Sequence, residues 1–164
     1  MSVKKISMLA MFAALSVVGG LVKIPAIVSS VALDAFPALI AGAVLGAGPG
    51  ATVAAIGHLA SALIGGMPLG PLHFAIAVEM FLIIWVFSKL YRYGKGIPAL
   101  LVFILLNGLG APLPFYWIVG PEFYMAAVPS LFIASAINGI LAWMAAPRLA
   151  ALFEKVTGTR VVKG

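Results

Sequence analysis

The sequence predicts an all-α fold: an integral membrane bundle of six helices with both termini in the cytoplasm. Three observations carry this reading. Hydrophobic residues make up 64% of the 164 positions and charged ones only 9%, with a mean hydropathy of +1.22. A soluble domain of this size needs far more charge to coat its surface. Glycine, proline and charged residues divide the chain into apolar runs suited to a hydrocarbon core about 30 Å thick. The lysines and arginines, finally, gather in alternate connections.

The elements follow in order, with boundaries set by these punctuating residues. "MSVKKISMLAMFAALSVVGG" imitates a signal peptide but lacks a clear small-x-small cleavage site. It is read as an uncleaved first span, Ile6 to Val22. After the loop "KIPAIVSSVALDAFP" a second span runs from Ala35 to Leu45. "GAGPGA" is read as a tight turn, because it has neither the lysine nor the βα context of a phosphate loop. A third span covers Thr52 to Ile64, "GGMPLGP" intervenes, and a fourth runs from Leu72 to Leu90. The basic loop "KLYRYGKG" precedes the fifth, Ile97 to Leu109 or beyond. "APLPFYWIVGPE" leads to the sixth, Phe123 to Leu149, interrupted by Pro129. Spans two and three are short, so neighbouring loops lie partly at membrane depth, where irregular backbone must line a cavity or be buried in protein.

With the amino terminus inside, nine of the ten basic residues are cytoplasmic and only Lys23 is outside. The three outer connections are then Lys23 to Asp34, Gly65 to Pro71 and Ala111 to Glu122. Phe115, Tyr116, Trp117, Phe123 and Tyr124 gather at the last of these. This cluster reads either as an interfacial aromatic belt or as a stacking lid over a flat ligand.

Polar groups inside a bilayer are costly and usually face the bundle interior or an aqueous cavity. Here they are His58, Ser61, His73, Glu79, Asn107, Ser130, Ser135 and Asn138. Counting helix rise, His58 and Glu79 each lie roughly 12 Å below the outer end of their span. Antiparallel neighbours joined by a short loop pack together, so His58 and Glu79 are expected to meet. They would either fix helix packing or floor an outward-facing pocket. His73, nearer the surface, is a pocket wall or an interfacial side chain. Asn107 and Asn138 both donate and accept hydrogen bonds, as recognition of hydroxyls or heterocycles requires, or join helices. Small residues recur at every fourth position: Ala10 and Ala14, Gly42 and Gly46, and Gly57, Ser61 and Gly65. Such spacing lets helix backbones approach closely.

Catalysis finds little support. There is no cysteine, no HExxH, no Gly-x-Ser-x-Gly and no ATP-binding motif. No cofactor and no metal site is expected.

Length, six spans, inside termini and the Ala10-xxx-Ala14 motif together resemble the substrate-binding S component of energy-coupling factor transporters. The resemblance covers the whole chain, 1–164, as a single domain. "ALDAFPALIAGAVLGAGPGATVAAIGHLASALIGGMPLGPLHF" looks most like members linked to uptake of α-ribazole, a cobalamin precursor. The resemblance implies a multi-pass protein of a prokaryotic cell membrane that captures a vitamin or precursor outside. It further implies docking through the first span on a transmembrane coupling protein bound to two ATPase subunits, and toppling to deliver cargo. Carried onto this sequence, Ala10 and Ala14 form the docking face. The candidate substrate contacts are then His73, Glu79, Asn107, Trp117 and Asn138, with His58 added as the expected partner of Glu79. Pantothenate, a pyrimidine or another vitamin would suit similar residues. An autonomous channel or small transporter, or a membrane enzyme or assembly factor, are the readings from other classes.

Overall fold

A computed structural model describes residues 3–25 and 30–157. Seven helices and one short ribbon make up the described chain. Helix α1 is Val3–Leu21, α2 Ala35–Leu45, α3 Ala47–Ile64 and α4 Leu72–Arg92. Helix α5, Gly96–Leu105, passes into a π-helical turn, Leu106–Gly110, and then into the short α6, Leu113–Ile118. Helix α7, Pro121–Thr157, closes the bundle. Five stretches are long and apolar enough to cross a membrane: α1, α3, α4, the run Gly96–Ile118, and α7. Helix α2, with 11 residues, is shorter.

Helix α2 is short because it is the centre. Nine of its residues, Ala35, Pro37 and the run Ala38 to Val44, are buried. It packs against α1, α3, α4 and α7. A helix apolar on every face is a core element, and its alanines and glycine admit neighbours close to its axis. Larger side chains fill the remaining core: Leu39, Ile40, Ile84, Phe87, Tyr91 and Phe103 are fully buried. The outer surfaces of α1, α4 and α5 carry exposed Ile6, Val18, Val78, Leu82, Ile97 and Leu101. That distribution is apolar inside and out, as a bilayer solvent permits.

The small-residue positions are contacts. A Cβ on Gly50 would strike the backbone of Gly42, so α2 and α3 meet main chain to main chain. A Cβ on Gly57 would strike the Ser16 hydroxyl, and one on Gly20 the Ser61 hydroxyl, which interlocks α1 with α3. Gly46 is different. It turns the chain between α2 and α3 at φ +111°, a conformation that side chains resist.

Several sequence expectations change. The turn in "GAGPGA" shrinks to Gly46, because Ala47 already begins α3 and Pro49 sits in its first turn, where no intrahelical N–H is needed. The fifth span is not one continuous α-helix, since the backbone widens into the π turn at Leu106. Helix α7 is continuous through Pro129 and Pro147 rather than interrupted. The first outer connection is not all loop. Strand β1, Lys23–Pro25, pairs antiparallel with β2, Ser30–Ala32, with Lys23 opposite Ala32. The aromatic connection folds into α6, with proline at its start. The side chain of Lys23 lies outside the described residues.

Candidate functional site

A cavity of about 370 Å³ opens at one end of the bundle. Its walls come from the α1–α2, α3–α4 and α6–α7 connections and the helix ends beside them, including Ala32, Asp34, Gly65, Leu69, Pro112 and Phe123. This size lies at the lower end of small-molecule sites.

His58 on α3 and His73 on α4 meet within it, with Nε2 of His58 3.2 Å from Nδ1 of His73. His58 thus pairs with His73 and not with Glu79, the partner that residue counting along the helices predicts. The equal-depth count placed both helices level at the connection. Instead the connection hydrogen-bonds back onto α3, Gly65 N–H to the Ser61 carbonyl and Met67 N–H to that of Ala62. Helix α4 therefore starts beside the last turns of α3, and His73 reaches His58 first. His73 is buried, so it is a wall residue and not an interfacial one.

The tautomers follow from the donors. The Leu69 N–H points to Nε2 of His73 at 3.4 Å, so that nitrogen is the acceptor. The neutral ring then carries its proton on Nδ1 and donates to Nε2 of His58. His58 keeps its own proton on Nδ1. Among the described residues no group of three or more His, Asp or Glu side chains comes together in metal-binding geometry.

Glu79, six residues beyond His73, also lines the cavity. Its Oε2 is buried and has no hydrogen-bond partner among the described residues. Unsatisfied buried oxygens are rare and ask for an explanation.

The two asparagines behave differently. Asn107 stands in the π turn and donates from Nδ2 to the Ser135 hydroxyl at 2.8 Å. Ser135 in turn donates to the Leu131 carbonyl. This relay fixes the amide, and no described residue hydrogen-bonds its carbonyl oxygen. Asn138 is instead engaged on every side. Its Oδ1 accepts from Phe36 N–H at 2.8 Å, and its Nδ2 donates to the carbonyls of Ala32 at 2.8 Å and Ala134 at 2.9 Å. It borders the cavity but ties the start of α2 and the end of β2 to α7.

Trp117 does not line the cavity. It is 72% exposed on α6 and packs edge-on against Tyr116. The aromatic wall is made by Phe115, 3% exposed, and Phe123, their ring centroids 6.1 Å apart. On a six-residue helix residues 115 and 117 project to different sides, so only one can turn inward. Ala10 and Ala14 are both exposed on α1 and do not line the cavity, which α1 reaches through Gly20.

Asp34 is a cavity residue that sequence reasoning passed over. An acid just before an apolar helix looks like an ordinary cap. Burial pushes its carboxyl above the usual range, and the backbone amides of Asp34 and Ala35 pull it only part of the way back. Its carbonyl accepts from the Ser16 hydroxyl at 2.5 Å, which anchors it to α1.

The assembled site is a largely apolar chamber with a few convergent polar groups, the form of a small-molecule binding pocket. No individual curated protein matches the sequence. A family model does: that of the ECF transporter substrate-specific component matches residues 4–150. With most of its length matched, the chain belongs to the family of substrate-specific components of ECF transporters.

Proposed function

We propose that this chain is the high-affinity capture subunit of an energy-coupling factor importer for a vitamin precursor, with α-ribazole as the cargo. In this reading α2 counts as the sixth membrane element, both termini are cytoplasmic, and the cavity opens to the outside. The excess of lysine and arginine on the opposite connections supports that orientation. The exposed Ala10–Ala14 face of α1 docks on the coupling protein and its two ATPases, and the subunit topples to release cargo.

The observation that carries the reading is the cavity itself. Its aromatic wall of Phe115 and Phe123 suits a flat benzimidazole. The carboxyls of Asp34 and Glu79 and the amide oxygen of Asn107 suit ribose hydroxyls. Its volume of about 370 Å³ accommodates the nucleoside and not an entire corrinoid. Titration calorimetry of the detergent-purified protein with α-ribazole tests this. Binding at or below about 1 μM is expected, weakened by about tenfold or more in Glu79→Gln, because a charge-assisted bond is lost. Full affinity in that variant would remove Glu79 from the contact set.

A further inference from the structure

We infer that the cavity selects a neutral or cationic ligand rich in N–H and O–H donors and rejects one bearing a carboxylate or phosphate. The inference deepens the proposed function, resting on it only in taking the cavity as the capture site.

Apart from the Ser61 hydroxyl, which can donate or accept, the polar inventory of the lining is lopsided. Asp34 and Glu79 contribute carboxyl groups, and Asn107 a carbonyl oxygen that the Ser135 relay leaves without a partner among the described residues. Asn138 offers no N–H, because both of its amide hydrogens go to backbone carbonyls. The His pair contributes less than two imidazoles would suggest. One N–H is consumed between the rings and one ring nitrogen is occupied by the Leu69 amide, which leaves a single N–H on His58. No lysine or arginine lines the cavity among the described residues.

An anionic group placed here would meet two carboxyls in an apolar surround, with no cation to pair with among the described residues. Desolvation and like-charge repulsion both oppose that arrangement. A donor on the ligand gains instead from Glu79 Oε2, among the described residues the one lining oxygen that is both buried and unpartnered. The same logic separates the candidate cargoes: a nucleoside fits, and a free acid such as pantothenate does not.

Matched pairs that differ in one acidic group test the inference. Suitable probes are α-ribazole with its 5′-phosphate, pantothenol with pantothenate, and thiamin with thiamin monophosphate, titrated calorimetrically into the purified full chain. In every pair that binds, the non-acidic member is expected to bind at least about tenfold more tightly, and Glu79→Gln to narrow that ratio. A tighter acidic member, an unchanged ratio in Glu79→Gln, or no binding by any of the six would overturn it. Co-purification of the chain with coupling protein and ATPases is scored separately. If that association holds while the anion wins, only the pocket chemistry is wrong. If the association is absent, the transporter reading itself falls.

Discussion

At the scale of single residues, the two cavity asparagines make opposite predictions. Asn138 satisfies Phe36 N–H and the Ala32 carbonyl, groups from another part of the chain. Asn138→Ala strands both in the interior, and at about 1–3 kcal/mol per unsatisfied group the expected loss is about 2–6 kcal/mol, read as a lowered melting temperature in detergent. Asn107→Ala removes one donor from a serine that keeps its own bond to Leu131. Its melting temperature should change by little, while affinity for α-ribazole falls about tenfold. Equal destabilisation by both variants would contradict the division of labour. Asp34 adds a pH signature. Burial raises its carboxyl in the folded chain, so the folded state holds the proton more tightly than the unfolded one. Stability from this group is therefore fully present below the ordinary value of 3.8 and is lost as pH rises through the elevated folded value. Asp34→Asn removes that penalty. The variant is expected to melt a few degrees above the parent at neutral pH, with the gap closing toward pH 4, and to bind α-ribazole more weakly. A gap independent of pH would show that Asp34 does not titrate in this way.

At the scale of elements, the α2–α3 hairpin depends on backbone contact. Gly50→Ala drives a methyl into the Gly42 main chain, which cannot swing aside as a side chain would. Overpacking of this kind costs about 1–3 kcal/mol or more, so the variant should yield little folded protein by size-exclusion chromatography. Gly48→Ala is the control: its Cβ meets nothing within 4 Å, and it should be neutral or slightly stabilising. These glycines show how far sequence reading reaches. Spacing at fourth positions singled out Gly42, Gly57 and Ser61, and all three are contact positions. The same pattern included Gly46, a turn, and Gly65, which ends α3. The apolar runs also located each long helix, because hydropathy is a local property of the chain. What stayed hidden is non-local. The π turn at Asn107 takes shape where Gly108 lets the backbone press on Phe132 of α7. The His58–His73 pairing is set by hydrogen bonds from the Gly65–Pro71 connection, and counting residues along two straight helices does not contain them. Five of the six residues expected to contact substrate line one cavity. The sixth, Trp117, rests on its position in the binding region that the family resemblance implies, which carries no information on which side of α6 it projects.

At the scale of the whole molecule, the cavity and the α1 surface are separate features of one bundle. Of the five long apolar stretches, α1 buries the smallest share of its length. Its buried stripe, Met8, Phe12, Ser16 and Gly20, holds it to the bundle, with Phe12 stacked on Phe153 of α7. The opposite side presents Ala10 and Ala14 among exposed Ile6, Met11, Leu15 and Val18. Two alanines one turn apart make a shallow trough between larger side chains, and a partner helix can approach its backbone closely there. Association in lipid gains no hydrophobic term and rests on close packing, so a single bulky residue in the trough should suffice to prevent it. Ala14→Trp is therefore expected to abolish co-purification with the coupling protein and ATPases while leaving α-ribazole affinity within about twofold, since additivity holds for distant sites. Ala14→Gly, which keeps the trough open, should co-purify normally. Retained association in Ala14→Trp would place the docking face elsewhere, and loss of ligand binding together with association would mean that the substitution disturbs the bundle and not the interface.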